Sequence, residues 1–413
     1  MTKVFVLREF DKQKVNPAGA NFILRRHART EREDRVSVDL LNLKTLADPV
    51  DLDLAYIASS LFLCEILQRT VKIRLNEWIC FLVSEIDVWN KSHVKYLLQD
   101  ILSFMIGRRP SIRFKEASGK NKFDITTRTP ESKGVKSVTL FSGGIDSLSG
   151  ILNVQATYGS TAGVFVSHVN LGRVVDKLMN DFLQKYAIQS YRVNVQSQKA
   201  VLQQLRGFLY LSFGAISAKL LKTNKVFISE IGPIMYQPPF VPTDEVTLTT
   251  HPSLVKMSKE LFREVYGVNF EFYEPFENLT KAEVIASCPE KEAIRFTNSC
   301  ISTRFLYSDY SHCGRCYGCL VRRISCLVAG VKDAKYGIDI LVRGIGERKK
   351  GGWRGRGYEI RESDFKDLYV LLRFARDILE NKLPDFTASK IIEFKKEELK
   401  IRFRYFCWTL HPL

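Results

Sequence analysis

The sequence predicts an α/β protein: a doubly wound parallel sheet carrying a cysteine-rich element, preceded by an α+β region and followed by helices. Three observations carry that expectation. The run Ser137-Val138-Thr139-Leu140-Phe141-Ser142-Gly143-Gly144-Ile145-Asp146-Ser147, with the apolar stretch Leu148 to Val154 behind it, reads as buried strand, tight turn and helix. Strand and helix patterns then alternate to about residue 340, which calls for parallel strands covered on both faces. Four cysteines, Cys300, Cys313, Cys316 and Cys319, fall late in the same region.

In chain order, Val4–Leu7, Asn21–Arg25 and Val36–Leu40 are β-prone. Asp48-Pro49 supplies an N-cap and a first-turn proline for a helix to about Gln68. Val71–Leu75 and Ile79–Val83 resume strand character, and Asn90 is placed to cap a helix through Phe104. Residues 1–133 thus read as a separate α+β domain without a catalytic constellation; His27 and His93 stand alone. The polar stretch Ala117 to Lys136 links it to the nucleotide-type domain, residues 134–340. There Gly163–His168, Ser190–Val195 and Val226–Glu230 read as strands, Val174–Tyr186 and Val201–Leu221 as helices. Leu202, Leu205, Leu209 and Phe213 recur at helical spacing, as core contacts do. In residues 341–413, Arg343, Arg348, Lys349, Lys350, Arg354 and Arg356 alternate with glycines and Trp353. Such a segment either follows a phosphate backbone or hinges in solvent. Helical patterns over Asp364–Lys382 and Ser389–Arg404 come last.

At 413 residues the chain exceeds one typical core. Lys plus Arg number 62 against 45 Asp plus Glu, a net charge of +17 that favours polyanionic partners: nucleotides, pyrophosphate, RNA or an acidic protein. Charge alone is equally compatible with a plain basic protein. The longest apolar stretch, Leu54 to Leu67, is short for a membrane span and contains Glu65. The N-terminus lacks a signal-peptide core, so the expected location is cytoplasmic, with no membrane partner and reduced cysteines.

The loop after Phe141 has the chemistry of an anion cradle. Gly143 and Gly144 let backbone N–H groups approach a ligand, Ser142 and Ser147 add hydroxyls, and the helix beginning at Ile145 points its positive end there. Asp146 beside an anion makes sense when a cation such as Mg2+ lies between them. No Gly-Lys-Ser/Thr follows, which excludes a Walker loop. The cysteines, twelve residues and then two spacings of two apart, match a tetrahedral Zn2+ site, with Gly314 and Gly318 permitting tight turns. Arg315, Arg322 and Arg323 read as counter-charges to such a centre. An iron–sulfur site using Cys326, or His312 in place of one thiolate, stays open. Cys64, Cys80 and Cys407 sit in apolar runs and read as core, and Cys288 has no evident role.

The loop at 142–147 resembles the PP-loop of ATP pyrophosphatases, which cut ATP between its α and β phosphates. Together with Cys300, Cys313, Cys316 and Cys319, with Asn278-Leu279-Thr280-Lys281-Ala282-Glu283-Val284, and with Gly330-Val331-Lys332-Asp333 and Tyr336, it is similar to the 7-cyano-7-deazaguanine synthase (QueC-like) family. The resemblance covers about residues 135–340. It implies that 7-carboxy-7-deazaguanine and ATP give an acyl-adenylate and pyrophosphate, and that an amine then displaces AMP. It also implies that Ser142, Gly143, Gly144, Ile145, Asp146, Ser147 and Lys281 bind ATP with Mg2+, with Asp146, Ser147 and Lys281 catalytic. Lys281 reads alternatively as an ordinary helix-start lysine.

The usual base-pocket stretch of that family is missing; Glu230-Ile231-Gly232-Pro233 and Thr249-Thr250-His251-Pro252 stand in its place. In this, and in its flanking regions, the chain looks more like the larger antiphage-defence branch of the family, as in the Qat system. That branch implies transfer of the deazaguanine to an amine of a protein partner from the same operon. Alternatives open at this point are a nitrile-forming synthase using ammonia, a PP-loop tRNA-modifying thiolase or amidinotransferase, and a catalytically dead binding module. The sequence leaves room for a homodimer.

Overall fold

The structure, a computed structural model, describes residues 3–7, 22–25, 37–39, 48–70, 78–107, 109–116, 134–167, 172–196, 205–235, 248–300, 312–349 and 358–379. The chain opens with β1 (Lys3–Leu7), β2 (Phe22–Arg25) and β3 (Ser37–Asp39), then α1 (Pro49–Thr70), β4 (Trp78–Val83), α2 (Ile86–Trp89), α3 (Ser92–Ile106) and β5 (Ser111–Glu116). Four of these strands form one sheet in the order β2-β1-β4-β5, and every pair is parallel.

Asp48 caps α1 as its sequence position suggests: its Oδ1 accepts from Asp51 N at 3.0 Å, and Asp51 Oδ2 accepts from Asp48 N at 3.1 Å. Asn90 does not cap α3. It closes α2, with its N–H on Ile86 O, and α3 begins after Lys91 without a side-chain cap.

The second sheet contains β6 (Ser137–Leu140), β7 (Thr161–Ser167), β8 (Ser190–Gln196), β9 (Lys225–Ile228) and β10 (Glu271–Tyr273), in the order β10-β9-β6-β7-β8-β3. The first five are parallel, and β3 pairs antiparallel with β8. Between the strands run α4 (Ile145–Tyr158), α5 (Gly172–Lys185), α6 (Arg206–Leu220), α7 (Gly232–Met235) and α8 (Pro252–Tyr266). Side chains alternate across β7: Val164 and Val166 join the core under α6, while Phe165 joins the core under α4. Both faces are therefore covered. The chain leaves β6 toward β7 and β8 and returns to β9 on the other side of β6. A crevice opens at the carboxyl ends of strands where the winding reverses in this way.

Two features of residues 1–133 go beyond the α+β domain expected there. The four strands of the first sheet are all parallel, and β3 leaves that region to complete the second sheet. One apolar core also runs from Leu54, Ile57 and Phe62 of α1 to Phe208 and Phe213 of α6, with α3 packed on α8. Leu205, Leu209 and Phe213 are fully buried there; Leu202 lies outside the described residues.

After β10 come α9 (Lys281–Ser287), a 3-10 turn at Lys291–Phe296, and α10 (Tyr317–Val328). Within the basic Gly-rich segment, β11 (Arg348–Lys349) pairs antiparallel with β12 (Tyr358–Glu359). The final described helix, α11 (Lys366–Leu379), packs on α10. Residues 350–357, Ser389–Arg404, Val71–Leu75, His27 and Cys407 lie outside the described residues, as does the side chain of Cys64. Cys80 and Cys288 are buried in the core. Among the described residues no helix is long and apolar enough to cross a membrane.

Asp53 is fully buried, accepting from Ser84 N (2.9 Å), Glu85 N (3.0 Å) and Trp89 Nε1 (3.1 Å). Asp53→Ala orphans all three donors and should cost about 3 kcal/mol, read as a lower urea midpoint.

Burial, and then repulsion from Glu277, push the Glu274 carboxyl up from the ordinary 4.5 to about 7. A carboxyl raised on folding favours the native state less as pH climbs from 4.5 through 7. Glu274→Gln removes that loss, so its Tm should exceed wild type at pH 8 and show a smaller difference at pH 5.

Candidate functional site

The loop between β6 and α4 begins with Phe141, buried against Phe165 and Phe182. Gly143 has φ +80°, a conformation that favours glycine, and a Cβ there would sit 3.0 Å from Met179 Sδ, closer than ordinary contact. Gly144 is the N-cap of α4 and offers no side-chain cap, which leaves the first-turn N–H groups of a 14-residue helix available to an outside acceptor. Ser147 Oγ donates to Gly144 O (3.1 Å) and accepts from Ser142 N (3.2 Å), holding the loop closed; the two serine hydroxyls lie 3.1 Å apart.

A cavity of about 460 Å³ opens from this loop, within the ordinary size of small-molecule sites. Its walls come from Ser142, Gly144, Ile145, Asp146 and Ser147, from Ser229 and Glu230 after β9, and from Arg206 and Tyr210 on α6. Lys281, Thr249, Thr250, Asn298, Ser299 and Tyr317 complete it. The crevice predicted by the strand order is thus the cavity itself.

Lys281 is delivered by a capping box. Thr280 Oγ1 accepts from Glu283 N (3.3 Å) while Glu283 Oε2 accepts from Thr280 N (2.7 Å), so α9 starts with Lys281 aimed into the cavity. Its Nζ lies 2.5 Å from Asp146 Oδ2, with the side chains 13% and 8% exposed. It is not an ordinary exposed helix-start lysine. Asp146 Oδ1 is buried without a hydrogen-bond partner, an acceptor that a cation in the cavity would satisfy. Burial, and then the adjacent Asp146 carboxylate, push the Glu230 carboxyl well above the ordinary carboxylate range. Arg206 and Lys281 both line the cavity, which suits an anionic ligand.

The four cysteines also converge. The Sγ atoms of Cys300, Cys313, Cys316 and Cys319 all lie within 4.8 Å of one another and are buried, so together they could hold a metal such as zinc. Cys313 and Cys319 sulfurs stand 3.7 Å apart, close to the edge of about 3.8 Å that Zn–S bonds near 2.3 Å give a tetrahedron. Backbone donors support the thiolates: Cys313 N donates to Cys300 Sγ and Cys316 N to Cys313 Sγ, both at 3.4 Å. Contact among the four sulfurs lowers the Cys313 and Cys316 thiols and raises those of Cys300 and Cys319. Gly314 has φ +81°, and a Cβ there would overlap Ile338 O at 1.6 Å.

The alternative ligands are elsewhere. Cys326 sits in the core beneath α4, where burial pushes its thiol to about 12. His312 Nε2 accepts from Ser299 N (3.2 Å), and burial drives the imidazole down to about 3. The arginines do not serve as counter-charges to the thiolates. Arg315 pairs with Asp364, Arg322 with Asp333 and Arg323 with Asp339. Each has a carboxylate of its own in the segments that follow Cys319.

Asn298 joins the two centres. Its N–H donates to Gly143 O (3.1 Å) and its side-chain Oδ1 accepts from Cys300 N (2.9 Å). Sequence reasoning missed Asn298, Arg206 and Tyr210. Arg206 stands in the first turn of α6, where a cation opposes the helix dipole, but the sequence pattern starts that helix at Val201 and hides the conflict. No protein-family model matches this chain, and no curated protein matches it.

Cys316→Ser should reduce bound metal, read by elemental analysis, from one equivalent per chain to a small fraction, and should lower Tm sharply. Cys326→Ser, outside the cluster, should keep the full equivalent.

Proposed function

We propose that the chain is an ATP-dependent, AMP-forming carbon–nitrogen ligase with a PP-loop nucleotide fold. Its substrate in this reading is 7-carboxy-7-deazaguanine, transferred to an amine of a protein partner in an antiphage defence system. The observation that carries the reading is the meeting of Lys281, Asp146 with its orphaned Oδ1, and the uncapped N-terminus of α4 at one cavity. The four-cysteine cluster, read as structural zinc, supports it by adding the second feature of the resembled family.

In the first step a carboxylate oxygen of the acid attacks the α-phosphorus of ATP, the bond to the bridging oxygen breaks, and pyrophosphate leaves with the electron pair. The N–H groups of Gly144, Ile145, Asp146 and Ser147 and the Lys281 ammonium are placed to take up the charge that develops on that leaving group. Asp146 Oδ1 would hold Mg2+, which supplies further neutralisation of the phosphates when bound. An amine nitrogen then attacks the acyl carbon, AMP departs, and the amine proton passes to solvent. Among the described residues no cysteine lines the cavity, which weighs against thiolase chemistry.

Two measurements test the proposal. Wild type incubated with ATP and 7-carboxy-7-deazaguanine should yield AMP and pyrophosphate; ADP and phosphate would refute it. Asp146→Asn and Lys281→Ala should each lower turnover on the order of 100-fold with little change in Tm. For the acceptor, intact-mass spectrometry of a co-expressed operon partner should show a deazaguanine-sized increase that Asp146→Asn abolishes. Nitrile formation with ammonia and no protein adduct would make the chain a 7-cyano-7-deazaguanine synthase instead, and an adduct on tRNA alone would assign the acceptor to RNA.

A further inference from the structure

The α6 side of the cavity holds buried polar atoms that the nucleotide chemistry above does not use. Arg206 Nε is buried without a hydrogen-bond partner, and so is Thr250 Oγ1. Arg206 Nη2 reaches Thr249 Oγ1 at 3.5 Å, a long and weak contact, and the guanidinium lies over the Tyr210 ring at 6.0 Å. Among the described residues no carboxylate lies within ion-pair distance of Arg206, whereas Arg315, Arg322 and Arg323 each have one. An arginine facing a cavity from the first turn of a helix, against the dipole, with its Nε desolvated and unsatisfied, costs stability unless an anion completes it. The neighbouring turn is strained as well: Leu248, a bulky residue, has φ +46° immediately before Thr249 and Thr250. Backbone in that region persists where surrounding structure enforces it, often at ligand sites.

We infer that Arg206, with the hydroxyls of Thr249 and Thr250, forms the subsite for the carboxylate of the acid that is activated. The subsite rests on the adenylation reading for its partner but on these side chains for its chemistry. A guanidinium offers paired N–H donors that match the two oxygens of a carboxylate, and the threonine hydroxyls can complete the remaining lone pairs. Lys281 and the α4 N-terminus occupy the phosphate side, so the two anionic reactants have separate cationic holders in one cavity. Such an arrangement turns a repulsive encounter of two anions into a positioned one. Arg206 here is a binding and positioning group for the acid.

The test uses isothermal titration calorimetry on the full chain with 7-carboxy-7-deazaguanine, its carboxyl-free analogue 7-deazaguanine, and α,β-methylene-ATP. Wild type should bind the acid more tightly than the analogue. Arg206→Gln should raise the Kd of the acid on the order of 10- to 100-fold, bring it near that of the analogue, and leave the Kd of α,β-methylene-ATP unchanged. Arg206→Lys should recover part of the loss, and Thr250→Val should weaken the acid several-fold with an unchanged Tm. Loss of nucleotide affinity in Arg206→Gln with unchanged acid affinity would overturn the inference and move Arg206 to the phosphates. Equal binding of acid and analogue by wild type would overturn it as well. Acid binding that depends on Arg206, in a wild type that makes no AMP, would leave the subsite standing and defeat the adenylation reading.

Discussion

The buried ion pair between Arg322 and Asp333 holds together the part of the molecule on which both centres depend. Both side chains are essentially inaccessible, and their closest atoms are 2.7 Å apart. Burying two charges carries a large desolvation cost, met only when every donor and acceptor is satisfied. Here Nε reaches Asp333 Oδ1, Nη1 reaches Thr297 O and Oγ1, and Nη2 reaches Ile294 O. Asp333 in turn accepts from Ala334 N and the Tyr336 hydroxyl. One guanidinium thus fixes α10, the turn that precedes Asn298 and Cys300, and the strand-like passage through Tyr336. The family-like segment Gly330 to Tyr336 has a structural role, because it supplies the partners of this arginine.

Charge is distributed unevenly around that frame. In the cysteine-rich element each arginine is neutralised by a carboxylate of its own, Asp333, Asp339 or Asp364. The cavity holds two cations, Lys281 paired with Asp146 and Arg206 without a carboxylate at ion-pair distance among the described residues. The net charge of +17 is therefore not merely a diffuse property of the surface. Part of it is placed where an anion would be held and where water is restricted enough for the interaction to count.

Local spacing makes the loop at 142–147 and the four cysteines legible, because their chemistry is set by residues close in the chain. Several strands and the start of α1, which Asp48 caps, are equally readable, whereas β5, β10, α8 and α10 are not. What escapes are contacts made across the fold. In a helix starting at Val201, as the sequence pattern suggests, a lone arginine at 206 signals little; only with the helix beginning at Arg206 does its conflict with the dipole show. Asn298 is two residues from a metal ligand yet acts on Gly143, about 155 positions earlier in the chain. The all-parallel first sheet is not legible because short β-prone runs look alike whichever way they pair, and β3 joins β8 across more than 150 residues. The counter-charge role expected of Arg315, Arg322 and Arg323 fails for the same reason, since composition does not give side-chain direction.

The double use of Asn298 has a thermodynamic side. One residue sets the carbonyl of Gly143 with its backbone and the amide of Cys300 with its side chain, so neither the loop nor the thiolate cluster can shift without disturbing the other. Two binding equilibria that share one rigid connector are linked, and linkage is reciprocal. Whatever free energy a metal held by the four sulfurs lent to the loop, an anion seated in the loop would return to the metal. The cluster would then be a remote determinant of affinity at a cavity it does not line, and its retention time a readable property of the occupied state.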